Sequence, residues 1–499
     1  MAYNPQQRDL EILRQSNRNV YLKIDLLDRS FKTIGNVEGE ATADSYSMDA
    51  NSDIRTTYNF TLVVGDSSFL IGRDKKIWFN KYIRVYVGFY HQRSREIIWY
   101  PMGVFLFDKA GYSYNNSTKE LSLSCVDRMS ELTGDRNGLV SGLSTKIPMG
   151  SSIRTAIKDS VIKYGNVTKY RIEDIGKKTP IDLEYNSGVA VSEIVKELRD
   201  FYPGWETFFD DEYFICQPYP TCLSDPIVLD AATIEPLVIS ESIDTNFTEM
   251  HNVAEVWGKC LETNHYSGTV TYSNNIYSAT YGTVPSLTDG TMFGFLASND
   301  SLIGCSFKVD NFTAYPIIGE NNTPIAAGRI KANSMYVVKY VVSGSSSNFY
   351  FCGEYQICSV AKLVSKTPTA EKIAEDIVKE PTRNITYIVE PTSPFCCDLE
   401  GMGEVRQVFA DGDYANIYSE DLATQRAKYE VWKATDMLDG LTLEMLEIPW
   451  LGVNQKIEYK SNMTGLTQQY ITKTKSGSST GGTMSVQCVK FQPLYPWTT

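Results

Sequence analysis

The stretch from Tyr82 to Gly138 limits what this chain can fold into more than any other. It opens with Tyr82-Ile83-Arg84-Val85-Tyr86-Val87-Gly88-Phe89-Tyr90, β-branched and aromatic with loose alternation, the pattern of a strand buried on much of both faces. A polar turn, His91 to Arg95, leads to Glu96-Ile97-Ile98-Trp99-Tyr100 and, past Pro101-Met102-Gly103, to Val104-Phe105-Leu106-Phe107. After a turn at Asn115-Asn116-Ser117, Leu121, Leu123 and Cys125 alternate with Ser122 and Ser124, as in a half-buried strand. The order predicts an antiparallel meander.

At 499 residues the chain exceeds one core, and length alone suggests about three or four domains. A hydrophobic fraction of 42%, with 32 Tyr and 21 Phe, leans towards β structure and extensive interfaces. No run approaches the ~18 apolar residues a membrane span requires, and MAYNPQQRDL at the start has no apolar signal core. The expectation is a protein made and assembled in the cytoplasm of its cell. The ten Cys include no Cys-x-x-Cys pair, and three His give no zinc spacing. The thiols read as small hydrophobes of a reducing compartment, with Cys396-Cys397 in a packed interface. A net charge of −13 argues against specific nucleic-acid binding, although a carboxylate-lined pore would let DNA pass without sticking.

Along the chain, Asp9 to Gln15 fits a short helix that must pack on something. Val20 to Leu27, Thr33 to Val37, Tyr46 to Ala50 and Thr56 to Val64 read as strands, so residues 18–134 hold about eight strands, enough for a nearly closed barrel. Ser151 or Ser152 can cap a helix carrying Ile153, Ala156, Ile157, Val161 and Ile162. A second helix places Val191, Ile194, Val195 and Leu198 on one face and ends before Pro203-Gly204. Trp205 to Phe209 and Tyr213 to Cys216 then form a hairpin about Asp210-Asp211-Glu212. His251 to Lys259 returns to strand. Asn264 to Ser365 is Gly-, Asn- and Ser-rich, and Lys366 to Thr382 reads as a charged linker with helical character, closed by Pro381. Beyond it come strands at Ile385 to Val389 and Leu441 to Leu446, a helix capped by Ser419, and the hairpin running to Val489.

Several of these residues carry a family likeness. Pro101, Gly103, Phe105, Leu121, Leu123, Asp127, Arg128 and Leu132, with Asn252, Val253, Val256 and Gly258, resemble the tube-type barrel domains of bacteriophage tail-hub and baseplate-hub proteins. So do the helix with Ala423, Arg426, Ala427, Tyr429 and Glu430, the segment Pro449-Trp450-Leu451 to Ile457, and the ending at Phe491, Pro493, Tyr495 and Pro496. The block 264–365 resembles a small β module of phage tail-fibre proteins, through Leu287-Thr288-Asp289-Gly290, Phe293, Phe295, Phe307, Tyr315-Pro316-Ile317, Ala326-Ala327-Gly328 and Met335 to Tyr340.

The resemblance implies a mainly β fold with α+β parts. Residues 1–145 would form a first tail-tube-like barrel and 146–225 a small α+β domain. Residues 226–263 and 383–499 would form a second, discontinuous barrel, 264–365 an inserted tail-fibre-like module and 366–382 a linker. It implies a structural, non-enzymatic homotrimer of the virion tail tip, assembled in the host bacterial cytoplasm and acting in host-cell entry and DNA ejection. Its partners would be the tail tube or distal tail protein on one side and a central spike, tail fibre or tape measure protein on the other, adapting sixfold to threefold symmetry. No cofactor, metal, membrane span or specific nucleic-acid site is implied.

Two alternatives stay open. In one, the insert is a receptor-binding element contacting host surface carbohydrate, with Tyr315, Tyr336 and Tyr350 as candidate contacts, since aromatic rings stack on sugars and also fill β cores. In the other, the chain is a tail-associated cell-wall hydrolase. Asp210-Asp211-Glu212 and the Asp411, Asp413 pair are the nearest to paired carboxylates, but both sit in expected turns, where Asp bonds its own backbone. No Gly-x-Ser-x-Gly or phosphate-binding loop is present.

Overall fold

A computed structural model describes residues 5–493 apart from short stretches at 38–39, 64–70, 115–118, 149, 180–182, 202–203, 246–247, 262, 269, 283, 320–322, 345, 381, 383, 418–419 and 437–438. The Asn115-Asn116-Ser117 turn, Pro203, Pro381, the Ser419 cap, and Tyr495 and Pro496 lie outside the described residues. The chain is mainly β with a minority of helix. It divides into two compact units, Met1–Met250 with Trp432–Pro496, and His251–Val431.

The first unit is organised by one antiparallel sheet of twelve strands. In chain order these are β1 (Val20–Leu27), β2 (Thr33–Asn36), β3 (Glu40–Asp49), β4 (Thr56–Val63), β5 (Tyr82–His91), β6 (Glu96–Tyr114), β7 (Lys119–Asp127), β8 (Val238–Thr245), β9 (Asp439–Leu446), β10 (Lys456–Lys460), β11 (Thr467–Ser478) and β12 (Thr483–Lys490). Across the sheet they run β8-β9-β12-β11-β3-β4-β7-β6-β5-β1-β2, with β10 also paired to β11. Leu121, Leu123 and Cys125 of β7 point into the core as their alternation predicts, with Ser122 and Ser124 on the other face.

Pro101-Met102-Gly103 does not separate two strands. β6 is a single strand of 19 residues, and its register against β5 slips where Val85 faces Gly103 and Tyr86 faces Pro101, leaving Met102 as the extra residue of a bulge. A bulge is where a strand tolerates Pro, which lacks an N–H, and Gly103 supplies the positive φ of 129° that the kink requires.

One apolar core underlies the sheet. Tyr58, Phe60, Phe89, Tyr100, Phe105 and Leu123 from the early strands pack in the same cluster as Leu441, Leu443, Trp450, Tyr459 and Val486 from the late ones. The N-terminal helix, Gln7–Leu13, buries Ile12 and Leu13. Its buried Asp9 accepts a hydrogen bond from Tyr100 Oη at 2.7 Å, which fixes the helix where its length alone could not.

The sheet contains the same arrangement twice. β3-β4-β7-β6 with β5 beside β6 has the topology of β8-β9-β12-β11 with β10 beside β11, taken in the same chain order. The irregularities match too. The β6–β7 ladder slips between Phe107 and Lys109, and the β11–β12 ladder between Thr472 and Thr474. The β3–β4 ladder slips between Ala41 and Ala43, and the β8–β9 ladder between Val238 and Ser240. Bulges are positional features rather than noise, so two coincident pairs identify a duplicated five-strand unit.

The α+β segment follows its periodicity. Helix Ile153–Lys163, capped by the Ser152 side chain, meets helix Val191–Asp200, which buries Val191, Ile194, Val195 and Leu198. The hairpin Trp205–Asp210 with Tyr213–Pro218 follows.

The second unit, which lies between β8 and β9 in sequence, holds two sheets. Val253–Cys260, expected to open the second barrel, instead pairs with Gln356–Val364 and Arg406–Phe409 in a four-stranded sheet of its own, with Ile385–Val389 at one edge. An eight-stranded sheet encloses an aromatic core that includes Phe293, Phe295, Phe307, Tyr336 and Phe349. Helix Ala370–Lys379, in the stretch expected to be a linker, buries one side chain, Asp376. Ion pairs fix it. Lys362, 3% exposed, reaches Glu380 at 2.6 Å, Glu404 at 2.8 Å and Asp376 at 3.5 Å, while Arg406 holds Glu380 and Glu255. Removing one partner of such a cluster leaves buried charge uncompensated. Lys362→Ala should therefore lower the stability of this unit by about 3 kcal/mol, seen as a lower urea midpoint; an unchanged midpoint would refute the clamp.

Candidate assembly interface

The two five-strand units meet where β11 pairs with β3: Thr474 faces Asp49, Lys475 Met48, Ser476 Ser47 and Gly477 Tyr46. The Ala50 N–H extends the ladder to the Lys473 carbonyl at 2.9 Å. Beneath this seam lies a fully buried ion pair. Lys475 Nζ sits 3.0 Å from Glu447 Oε1, both side chains at 0% exposure, and donates to the Ile448 carbonyl at 2.8 Å. Tyr46 Oη donates to Glu447 Oε2 at 2.5 Å, and Arg18 donates to the Glu447 carbonyl. Burial pulls the Lys475 ammonium below the ordinary lysine range, with Glu447 acting against it. Burial and the neighbouring carboxylate hold the Tyr46 hydroxyl protonated far above the usual phenol range.

Asp44 closes the same seam. It accepts from Ser478 Oγ at the end of β11 at 3.1 Å, from Ser479 N at 2.8 Å and Thr480 N at 3.0 Å in the turn that follows, and from Tyr58 Oη at 3.2 Å. Gly477 permits the close approach of β11 to β12, because a Cβ there would stand 2.6 Å from the Thr483 carbonyl oxygen. The Lys475–Glu447 pair lies within the later five-strand unit and adds little net stability over an apolar one. Tyr46 and Asp44 of β3, by contrast, reach across the seam and penalise any other register, in which their buried polar groups would lose their partners.

The sheet ends in open edges. β8 pairs on one side with β9, and no described strand lies on its other side. The first half of β6, as far as Leu106, pairs with β5. Beyond it, among the described residues, Lys109 to Tyr114 pair with β7 alone, and the Tyr112 hydroxyl accepts from the Ile71 N–H. Ile239 of β8 and Tyr112 and Tyr114 of β6 are exposed apolar side chains on these edges. Unpaired strand edges template pairing with another chain unless something covers them.

The residues singled out from sequence have other placements. Asp211 and Glu212 hold Arg84 at 2.8 and 2.5 Å, and Glu212 also binds Lys169, so this acidic turn fastens the α+β hairpin to β5. Asp411 stands just before a short 3-10 turn, Gly412–Asn416, which includes Asp413. Tyr336 is 2% exposed and its hydroxyl accepts from Lys331 N, so its ring belongs to the core. Tyr315 packs on Tyr340 and Phe349 from that same face. Tyr350 is paired opposite the exposed Lys339, on the other face, so the three tyrosines form no common platform. Burial pushes the Cys396 and Cys397 thiols up to about 11, away from reactive thiolate. In the first unit a cleft of about 670 Å³ lies between Trp450, Tyr219 and Phe208, with Arg55 and Asn454 bound to Glu206 on its wall. Sequence offered no signal for Lys475 or Glu447.

Residues 392–495 match a family described as Domain of unknown function (DUF5048). No curated protein matches the chain. Among solved structures, the 43 kDa tail protein of prophage MuSo2 from Shewanella oneidensis is similar at a TM-score of 0.50 and 9% identity, over 96% of this chain and 99% of that one. The tail protein from Neisseria meningitidis MC58 is similar at a TM-score of 0.48 and 9% identity, over 95% and 98%. At such identity the likeness to the MuSo2 protein is one of fold, and it extends over nearly the whole of both chains.

The seam makes a paired prediction. Lys475→Met alone should cost about 3–5 kcal/mol, because it strands a buried carboxylate, whereas Lys475→Met with Glu447→Leu should recover most of that loss. Urea unfolding of the wild type, the singles and the double measures the coupling. Additive losses would show that the pair does not act as a unit.

Proposed function

We propose that this chain, which has the fold of a prophage tail protein, is a structural hub of a phage or phage-derived tail. It works as a homotrimer that joins a sixfold tail tube to a central spike or fibre. One observation carries the reading: a five-strand unit occurs twice, is fused into a single sheet, and among the described residues leaves one edge without a partner strand at β8 and another along the end of β6. Three such chains present six similar units to a sixfold partner, and head-to-tail joining of unlike edges either closes as a ring or grows without limit. Closure satisfies the edges and stops growth.

In this reading the two barrels are the two five-strand units, and His251–Val431 is material inserted between the first and second strands of the later one. The sheet face opposite the core becomes the channel wall. It carries small polar side chains, among them Ser45, Ser47, Asn59, Ser122, Ser242 and Gln487, all exposed. The same face also carries the exposed carboxylates Asp244 and Glu444 and the exposed Lys109. A wall of hydroxyls and amides on which carboxylates outnumber the lysine offers phosphates little to bind and a weak repulsive field, a low-friction surface for passing DNA. The partners are the tail tube or distal tail ring on one side and a spike, fibre or tape measure protein on the other.

Mass measurement of the purified full chain tests the assembly. Three chains of 56.1 kDa make about 168 kDa, and that species should persist on dilution. A chain that stays at 56.1 kDa at every concentration would contradict the ring.

A further inference from the structure

We infer that the end of β6 in one copy pairs with β8 of the next, in the register that β11 and β3 adopt within the chain. This rests on the ring assembly proposed above and specifies its interface. In the later five-strand unit, β11 gives its first half to β10 and its second half, Thr474 to Gly477, to β3. In the earlier unit, β6 gives its first half to β5, and on that side its second half pairs with no described strand. The strand topologically equivalent to β3 is β8, and its outer edge is open.

The bulges fix the register. The extra residue is Lys473 in β11 and Asp108 in β6, so Ser476 corresponds to Gly111 and Gly477 to Tyr112. The extra residue is Thr42 in β3 and Ile239 in β8, so Tyr46 corresponds to Ile243 and Ser47 to Asp244. The internal pairs Ser476 with Ser47 and Gly477 with Tyr46 therefore become Gly111 with Asp244 and Tyr112 with Ile243 across the copies.

Exposure fits this assignment. Tyr46, covered by its seam, is 2% exposed, while Tyr112 is 42% exposed and Ile243 is half-buried. The chemistry differs in a useful way. Where the internal seam buries Lys475, the equivalent position is Ala110, and where it buries Tyr46 the equivalent is Ile243. The contact between copies is thus apolar, so separately folded chains associate without desolvating a charge. Asp244 and Gly111 lie on the outward face, and a Cβ at Gly111 would meet nothing within 4 Å.

The test uses full-length Gly111→Cys/Asp244→Cys under mild oxidation, with each single variant and Gly111→Cys/Ser242→Cys as controls. The inference predicts covalent dimers and trimers for the first double variant alone, at least tenfold above the controls, with a disulfide joining the peptides that carry positions 111 and 244. Trimers without that link, or with stronger linking in the Ser242→Cys control, overturn the register and leave the hub reading standing. A wild type that never associates overturns both. Tyr112→Lys provides a check without cysteines: it should fold and sediment as monomer, and a Tyr112→Lys trimer as stable as wild type refutes the interface.

Discussion

The pairing of β11 with β3 is the constraint on which the first unit depends. It joins strands more than 400 residues apart in sequence and turns two small sheets into one sheet over one core. Backbone ladder bonds alone would allow slippage along two long strands, since a shift of register keeps most of those bonds. The Tyr46–Glu447 hydrogen bond and the Asp44 network restrict it to one register, because these β3 side chains reach their partners in the later five-strand unit in that alignment only. A slip of one residue would also turn Tyr46 outward and expose Ser47 to the core.

Placing the second unit between β8 and β9 follows from the same geometry. Its entry and exit are successive strands of the later five-strand unit, paired directly as β8 with β9. Chain ends held beside each other accept a long insertion at small entropic cost, since loop closure grows only logarithmically with length. The second unit in turn has its own core and an ion-paired helix that exposes Ile373 and Val378 rather than burying them.

Much of the fold was legible in local pattern. The alternation of Leu121, Leu123 and Cys125, the helical spacing of Val191, Ile194, Val195 and Leu198, and the turn at Asp210 to Glu212 all determine their own conformation over a few residues. What lay beyond sequence was the partner of each strand. Val253 to Cys260 reads as a barrel strand, but its apolar residues serve equally well in the four-stranded sheet it joins. Pro101-Met102-Gly103 reads as a break because Pro and Gly mark both turns and bulges. Lys475 reads as a solvent-facing lysine of an alternating strand, because only the distant Glu447 and Tyr46 make its burial possible. Tyr336 reads as a candidate contact, since an aromatic residue in a strand looks alike whether it meets solvent or a core. The duplication is hidden for the same reason: it survives in topology and bulges, not in side chains, with Ala110 standing where its counterpart is Lys475.

Electron cryomicroscopy of the purified full-length protein tests the central claim most directly. The account predicts a threefold ring in which backbone density of one sheet passes without interruption through all six junctions, three within chains and three between them. A particle whose copies touch through other surfaces, with β8 and the end of β6 still open, would contradict it.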